Sequence, residues 1–197
     1  MTVALALVAS YLVGSIDFAV VVGRMHGVDI REVGSGNPGT SNVLRTLGRI
    51  PAAMVLTGDL LKGVVAAAMG MVSSGVADPT VHWALAAGLA AVIGHCYPVF
   101  HRFRGGKGMA TALGALAFAL PLVALVDAVI WLAIVWLSKT AAAASLVAVA
   151  VTIPLAVWAG LRGLALVWLG AMLGLVVWRH RANIVRMVRG SEQKVPT

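Results

Sequence analysis

The sequence predicts an all-α integral membrane protein, a seven-transmembrane-helix bundle with its N-terminus outside and its C-terminus cytoplasmic. Three observations lead there. Of 197 residues, 60% are hydrophobic and 11% charged, too little polar surface to cover a soluble core. The apolar residues fall in long runs, most with the length of one helix crossing ~30 Å of hydrocarbon. The basic residues gather in particular connections, as orientation in a membrane requires.

The first run, Val3 to Val22, lacks the basic leading region of a secretory signal and reads as a retained span. Pro51 to Val76, Val81 to Val99, Ala141 to Ala159 and Gly163 to Trp178 follow the same single-span pattern. Met109 to Leu137 does not: it exceeds the ~20 residues of one crossing by about nine. Pro121 lies near its middle, where a helix loses a backbone donor and breaks.

Charge decides between one crossing and two. A single crossing would put the loop from Arg24 to Arg49 and the cluster Arg102, Arg104 and Lys107 opposite the basic tail of Arg179, Arg181, Arg186, Arg189 and Lys194. A turn near Pro121, giving a short span and a second one, brings all of these and Lys139 to one face. Only Arg162 is then opposite, with Lys62 inside a span and Asp78 in an external turn. No tandem repeat or linker divides the chain, so residues 1–197 are expected to form one domain. Small residues four apart, Ala84 with Gly88 and Ala90 with Gly94, suit close helix approach.

The net charge of +8 needs no nucleic acid, because cytoplasmic loops and anionic lipid favour Lys and Arg. Cys96 is the single cysteine, which excludes an intrachain disulfide, and it reads as a small packing residue. The histidines are scattered and have no compact carboxylate pair beside them, so no metal and no cofactor is expected.

Polar residues concentrate in three segments on the expected cytoplasmic face. In "DIREVGSGNPGTSNVLRTLGR", Asp29 to Arg49, Gly34, Gly36 and Gly39 spell G-x-G-x-x-G. That spacing marks a dinucleotide site only inside a βαβ unit. Here Ser35, Asn37, Thr40, Ser41 and Asn42 crowd the glycines with donors and acceptors, which suits a backbone nest for phosphate or a glycine-rich turn between spans. In "GHCYPVFHRFRGGKGMAT", Gly94 to Thr111, Arg104 and Lys107 surround Gly105 and Gly106, with Gly108 following. This is no Walker loop, since Gly108 stands where Ser or Thr is required, but it suits an anion. The third segment is "RHRANIVRMVRGSE", Arg179 to Glu192. His95, His101 and His180 are candidate bases, phosphate ligands or structural histidines. In "GDLLKG", Asp59 and Lys62 lie three apart on one helical face, where they can pair or serve a site at the membrane boundary. Asp17 and Asp127 are lone acids within apolar runs, readable as functional groups or as anchors for loop backbone.

With "GSGNPGTSNVLR", "GHCYPVFHRFRGGKGMAT" and "RHRANIVRMVRGSE" in order, and "DLLKG" between the first two, the chain resembles the bacterial glycerol-3-phosphate acyltransferases that use acyl phosphate as donor. The likeness covers nearly the whole chain. It implies transfer of an acyl group from acyl phosphate to the sn-1 hydroxyl of glycerol 3-phosphate, giving lysophosphatidic acid and inorganic phosphate in phospholipid synthesis. By the same resemblance, Ser35 and Arg45 are needed for activity, Gly105, Gly106, Lys107 and Gly108 help bind glycerol 3-phosphate, and His180 and Asn183 support the active centre. Glu192 matches an acidic position that holds the third motif in place. Asp59, Lys62 and His95 are expected to give structural support. The implied setting is a bacterial inner membrane, with the active site facing the cytoplasm and membrane lipid around it. The enzyme that makes acyl phosphate is the candidate protein partner.

Two departures stand out. The family often has Gly-Ser-Ile-Pro-Phe where this chain has "GSIDF", and Ile-Gly-Ala-Thr-Asn where it has "PGTSN". Asp17 is therefore expected to serve structure near the first loop. Two other readings compete. A membrane anion or phospholipid transporter would account for the basic loops, but it calls for midplane polar groups and often inverted repeats. An acyltransferase using acyl-CoA or acyl carrier protein usually shows His-x-x-x-x-Asp, which none of the five histidines has.

Overall fold

The computed structural model describes residues 2–74 and 81–196, so Val76 and the expected external turn at Asp78 lie outside the described residues. Among the described residues there are ten α-helices and no strand. They are α1 (Val3–Gly14), α2 (Phe18–Met25), α3 (Thr40–Thr46), α4 (Arg49–Ser73) and α5 (His82–Cys96). After them come α6 (Met109–Ala119), α7 (Pro121–Ser138), α8 (Ala141–Trp158), α9 (Gly163–Arg179) and α10 (Arg181–Val188).

Among the described residues five stretches are long and apolar enough to span a bilayer: Val3–Met25, Arg49–Ser73, His82–His101, Pro121–Ser138 and Ala141–Trp158. The pair α9 and α10, bent by 51° at His180, makes a sixth if both helices belong to one span. The break expected near Pro121 is present. α6 ends at Ala119 and Pro121 opens α7, where its missing N–H costs nothing. α6 has 11 residues. At 1.5 Å per residue it reaches about 16 Å, roughly half the hydrocarbon thickness.

The first span, expected to be continuous, is broken at residues 15–17. Asp17 is the reason. It caps α2, its Oδ1 accepting from Val20 N at 3.2 Å, and its Oδ2 pairs with Arg31 at 3.0 Å. In an unbroken helix Val20 N would bond to the carbonyl of Ile16. With that amide bound to Asp17, the Ile16 carbonyl is free to accept from Lys62 Nζ at 2.9 Å.

Lys62 is thereby held at the meeting of three elements. Its Nζ lies 2.7 Å from Asp59 Oδ1 on α4 and 2.8 Å from His95 Nδ1 on α5. An ammonium can only donate, so His95 Nδ1 is the acceptor in this contact. Lys62, Asp59 and His95 are all buried. Around them α4, α5 and α6 form the middle of the bundle, with α1 and α9 against α5 and with α7 at the edge against α8 and α6. Gly94 shows why small residues recur on α5. A Cβ there would strike the Tyr11 carbonyl and come within 2.9 Å of Ser15 N, so only glycine lets α5 and α1 cross this closely.

A buried ion pair that loses one partner leaves an uncompensated charge, at a cost of about 3–5 kcal/mol. Lys62→Met should therefore melt far below the unmodified protein in detergent. Adding Asp59→Leu to it should recover part of the loss. A single variant that melts like the unmodified protein would contradict this reading of the network.

Candidate active site

The first loop is built around Asn42, the third residue of α3. Its Oδ1 accepts from Ser35 N at 2.9 Å, and its Nδ2 donates to the carbonyls of Ile30 and Val33, each at 3.0 Å. The chain can fold back over this amide because Gly34 and Gly36 take φ of +60° and +68°. Ser35 is then presented with its hydroxyl receiving Arg45 Nη2 at 3.3 Å and Asn37 N at 3.4 Å. Neither partner is a histidine or a carboxylate, which is what an activated serine nucleophile would need.

The second loop leaves α5 through a 3₁₀ turn, Val99–His101, and folds back on it. Gly106 N donates to His95 O at 3.1 Å. A Cβ on Gly106 would strike His95 Nε2, and one on Gly105 the His95 carbonyl, so these two glycines let the loop lie flat over the buried network. Arg179 fixes the loop from the other side, donating from Nη2 to Gly105 O at 2.7 Å and from Nε to Gly106 O at 2.9 Å. Arg31 joins the first loop to the second through Arg104 O at 3.1 Å. The Arg104 side chain itself is exposed.

The third segment supplies His180 at the α9–α10 bend and Asn183 one turn into α10, both buried. His180 Nδ1 donates to Val176 O at 2.8 Å, which leaves Nε2 as its remaining ring nitrogen. Asn183 Nδ2 donates to Glu192 Oε1 at 2.6 Å, and Arg186 Nε donates to Glu192 Oε2 at 2.8 Å. One carboxylate therefore orients both side chains. Beyond it the chain crosses to the α7–α8 turn, where Val195 N bonds to Lys139 O and Lys194 Nζ to Ser138 O.

All three segments line one cavity of about 340 Å³. Of the residues singled out in the sequence, Ser35, Asn37, Gly39, Thr40, Ser41, Asn42, Arg45, Lys107, Gly108, His180, Asn183 and Glu192 reach it, as do Asp59 and His95 beneath. Gly34, Gly36, Arg104, Gly105, Gly106 and Lys62 are outside its lining and act on the loops or below them. The cavity's other arm is apolar, with Leu56, Leu60, Leu113 and Trp131 among its walls. At the polar end Thr40 Oγ1, Arg45 Nε and Asn183 Oδ1 are buried without a hydrogen-bond partner. Buried polar atoms are normally satisfied, so these suit a ligand that offers an anion to Thr40 and Arg45 and a hydroxyl to Asn183. Burial pushes the Lys107 ammonium down to about 8, helped by the charges of Arg186, Arg45 and Arg179 and opposed by Glu192. Arg45 is lowered from its ordinary value, again chiefly by burial. Among the described residues no group of three His, Cys, Asp or Glu is placed to hold a metal ion.

The model of the glycerol-3-phosphate acyltransferase family matches residues 4–190. The chain belongs to that family. A glycerol-3-phosphate acyltransferase from Halorhodospira halophila is 41% identical over 189 residues, 95% of this chain and 94% of the relative. One from Pseudomonas aeruginosa is 44% identical over 191 residues, covering 94% and 96%. Among solved structures, PlsY (YgiH), an integral membrane glycerol 3-phosphate acyltransferase, matches in its glycerol 3-phosphate form with TM-score 0.91 and 38% identity. Its lysophosphatidic acid form matches with TM-score 0.89 and 37% identity, and both cover 99% of this chain and 96% of the solved one.

Three arginines of this family member escaped selection from the sequence. Arg186 lines the cavity, and Arg179 and Arg31 hold the loops by their backbone carbonyls. For Arg186 a local signal existed, its spacing of three from Asn183 on one helical face. For Arg31 and Arg179 the partners are 73 or 74 residues away in the chain, and no local pattern announces them.

Lys107 gives this site a pH signature. Its charge is present below about pH 8 and is lost above it. Affinity for glycerol 3-phosphate, followed by calorimetry, should therefore weaken as pH rises through about 8. In Lys107→Arg protein, whose guanidinium stays charged, that alkaline weakening should disappear. A pH profile unchanged by the substitution would show that Lys107 does not face the anion.

Proposed function

We propose that the chain transfers an acyl group from acyl phosphate to the sn-1 hydroxyl of glycerol 3-phosphate, forming lysophosphatidic acid and inorganic phosphate for phospholipid synthesis. Family membership supports the acceptor. One observation carries the reading: a single cavity joins buried, unpartnered polar groups and three cationic side chains, Arg45, Lys107 and Arg186, to an apolar arm. Such a shape suits a substrate pair that is phosphate at one end and hydrocarbon at the other.

The hydroxyl oxygen bonds to the acyl carbonyl carbon, and the bond from that carbon to the bridging oxygen breaks. Its electron pair leaves on phosphate, and the hydroxyl proton passes to a phosphate oxygen. Phosphate is already a competent leaving group in this mixed anhydride, so positioning and charge stabilisation outweigh strong acid or base catalysis. Arg45 and Lys107 hold phosphate oxygens, Ser35 orients the Arg45 fork, and Asn183 Oδ1, turned by Glu192, receives the hydroxyl. Seven crossings, with the amino terminus outside and the cavity opening to the cytoplasm of a bacterial inner membrane, follow from the charge distribution. α6 would be the short crossing. An enzyme that makes acyl phosphate would then supply the donor from the same side.

Purified protein given palmitoyl phosphate and glycerol 3-phosphate should release inorganic phosphate and lysophosphatidic acid in equal amounts, and palmitoyl-CoA should give neither. Arg45→Lys should cost roughly 2–4 kcal/mol in kcat/KM, because an ammonium cannot replace the bidentate fork. Equal turnover with palmitoyl-CoA would overturn the donor assignment. For topology, a cysteine at Ser191 should be shielded from an impermeant reagent in intact cells and one at Arg162 should react, after Cys96→Ser. The opposite pattern would reverse the orientation.

A further inference from the structure

The apolar arm runs between α4, α6, α7 and α8, and one of its walls is unlike the others. Trp131 and Ala128 of α7 line it, three residues apart, and Ser145 of α8 lines the adjoining side. Trp131 Nε1 donates to Ser145 Oγ at 3.1 Å, and that hydroxyl donates on to Ala141 O at 2.9 Å. The indole is thus fixed across the α7–α8 seam with its ring against the cavity. One turn away, Asp127 Oδ2 accepts from Thr152 Oγ1 at 2.7 Å, a second polar rung between the same two helices.

These rungs matter because α7 presents Leu125, Val129 and Leu132 on an exposed face. Lipid satisfies an apolar surface as well as another helix does, so interhelical hydrogen bonds weigh more in deciding where such a helix sits. Measured back from Ser138, at the phosphate end of α7, Trp131 is about 10 Å along the helix and Ala128 about 15 Å. A hydrocarbon chain leaving the polar end and following α7 meets the indole first and the small side chain next.

On the acyl phosphate reading given above, we propose that Trp131, locked by Ser145, and Ala128 are the specificity-determining gauge for the acyl chain. The indole sets the width of the groove, and Ala128 leaves the space that the distal methylenes of a long saturated chain occupy. Loss of the lock widens the groove, and a larger side chain at Ala128 shortens it.

The test compares kcat/KM for lauroyl, palmitoyl and stearoyl phosphate at fixed glycerol 3-phosphate, with a melting curve for each variant. In Ala128→Leu the palmitoyl-to-lauroyl ratio should fall about tenfold, the scale on which apolar pockets discriminate by methylenes. In Trp131→Leu the stearoyl-to-palmitoyl ratio should rise by a similar factor. Ser145→Ala removes the hydrogen bond with little change in bulk, and it should shift the profile as Trp131→Leu does, but less. The KM for glycerol 3-phosphate should stay within twofold throughout, which a general loss of structure would not allow. Ratios within twofold of the unmodified protein in folded, active variants, or shifts of one sign for Ala128→Leu and Trp131→Leu, would overturn the gauge alone. Failure of the unmodified protein to use any acyl phosphate would overturn the donor reading and the gauge with it.

Discussion

One ammonium group, the Nζ of Lys62, is buried where a broken first span, the long fourth helix and the end of the fifth meet. Its contacts with the Ile16 carbonyl, Asp59 and His95 tie together elements up to 46 residues apart in the chain. An isolated charge in that position would be severely unfavourable, so the three acceptors must stay in place for the ion to stay buried. The consequences reach upward. His95 offers its carbonyl to Gly106 and its ring as the surface on which the second loop lies, so the polar end of the cavity rests on this network.

The basic residues divide into two groups with different work. Arg31 and Arg179 act on backbone carbonyls of the second loop, Arg31 through Nη2 on Arg104 O and Arg179 through its fork on Gly105 O and Gly106 O. Arg45, Lys107 and Arg186 line the cavity. The first group fixes the loops so that the second group needs little rearrangement when an anion arrives, and avoided reorganisation is where a preorganised site gains over water. The positive charge that helps to orient a membrane protein also builds and equips this site.

Much of this was legible in the sequence, for reasons that differ by element. The break at Pro121 follows from one residue's missing donor, and the convergence of the three polar segments follows from charge sidedness. The break at residues 15–17 was missed because Ser15, Ile16 and Asp17 are a small interruption in an apolar run, though Asp17 ahead of Phe18 is a capping signal. Asn42 looked like one more loop donor, yet its amide is engaged by the backbone of its own loop. The pairs Trp131 with Ser145 and Asp127 with Thr152 depend on how α7 docks on α8, which no period in either helix specifies.

The polar end of the cavity is held in shape from below. Lys62 is outside the cavity lining, so a change there reaches a ligand only through Ile16, Asp59, His95 and the loops they support. Isothermal titration of glycerol 3-phosphate into Lys62→Met protein, held below its melting transition, tests this most directly. The affinity should be at least about tenfold weaker than that of the unmodified protein, or about 1.4 kcal/mol. Unchanged affinity in folded Lys62→Met protein would contradict it.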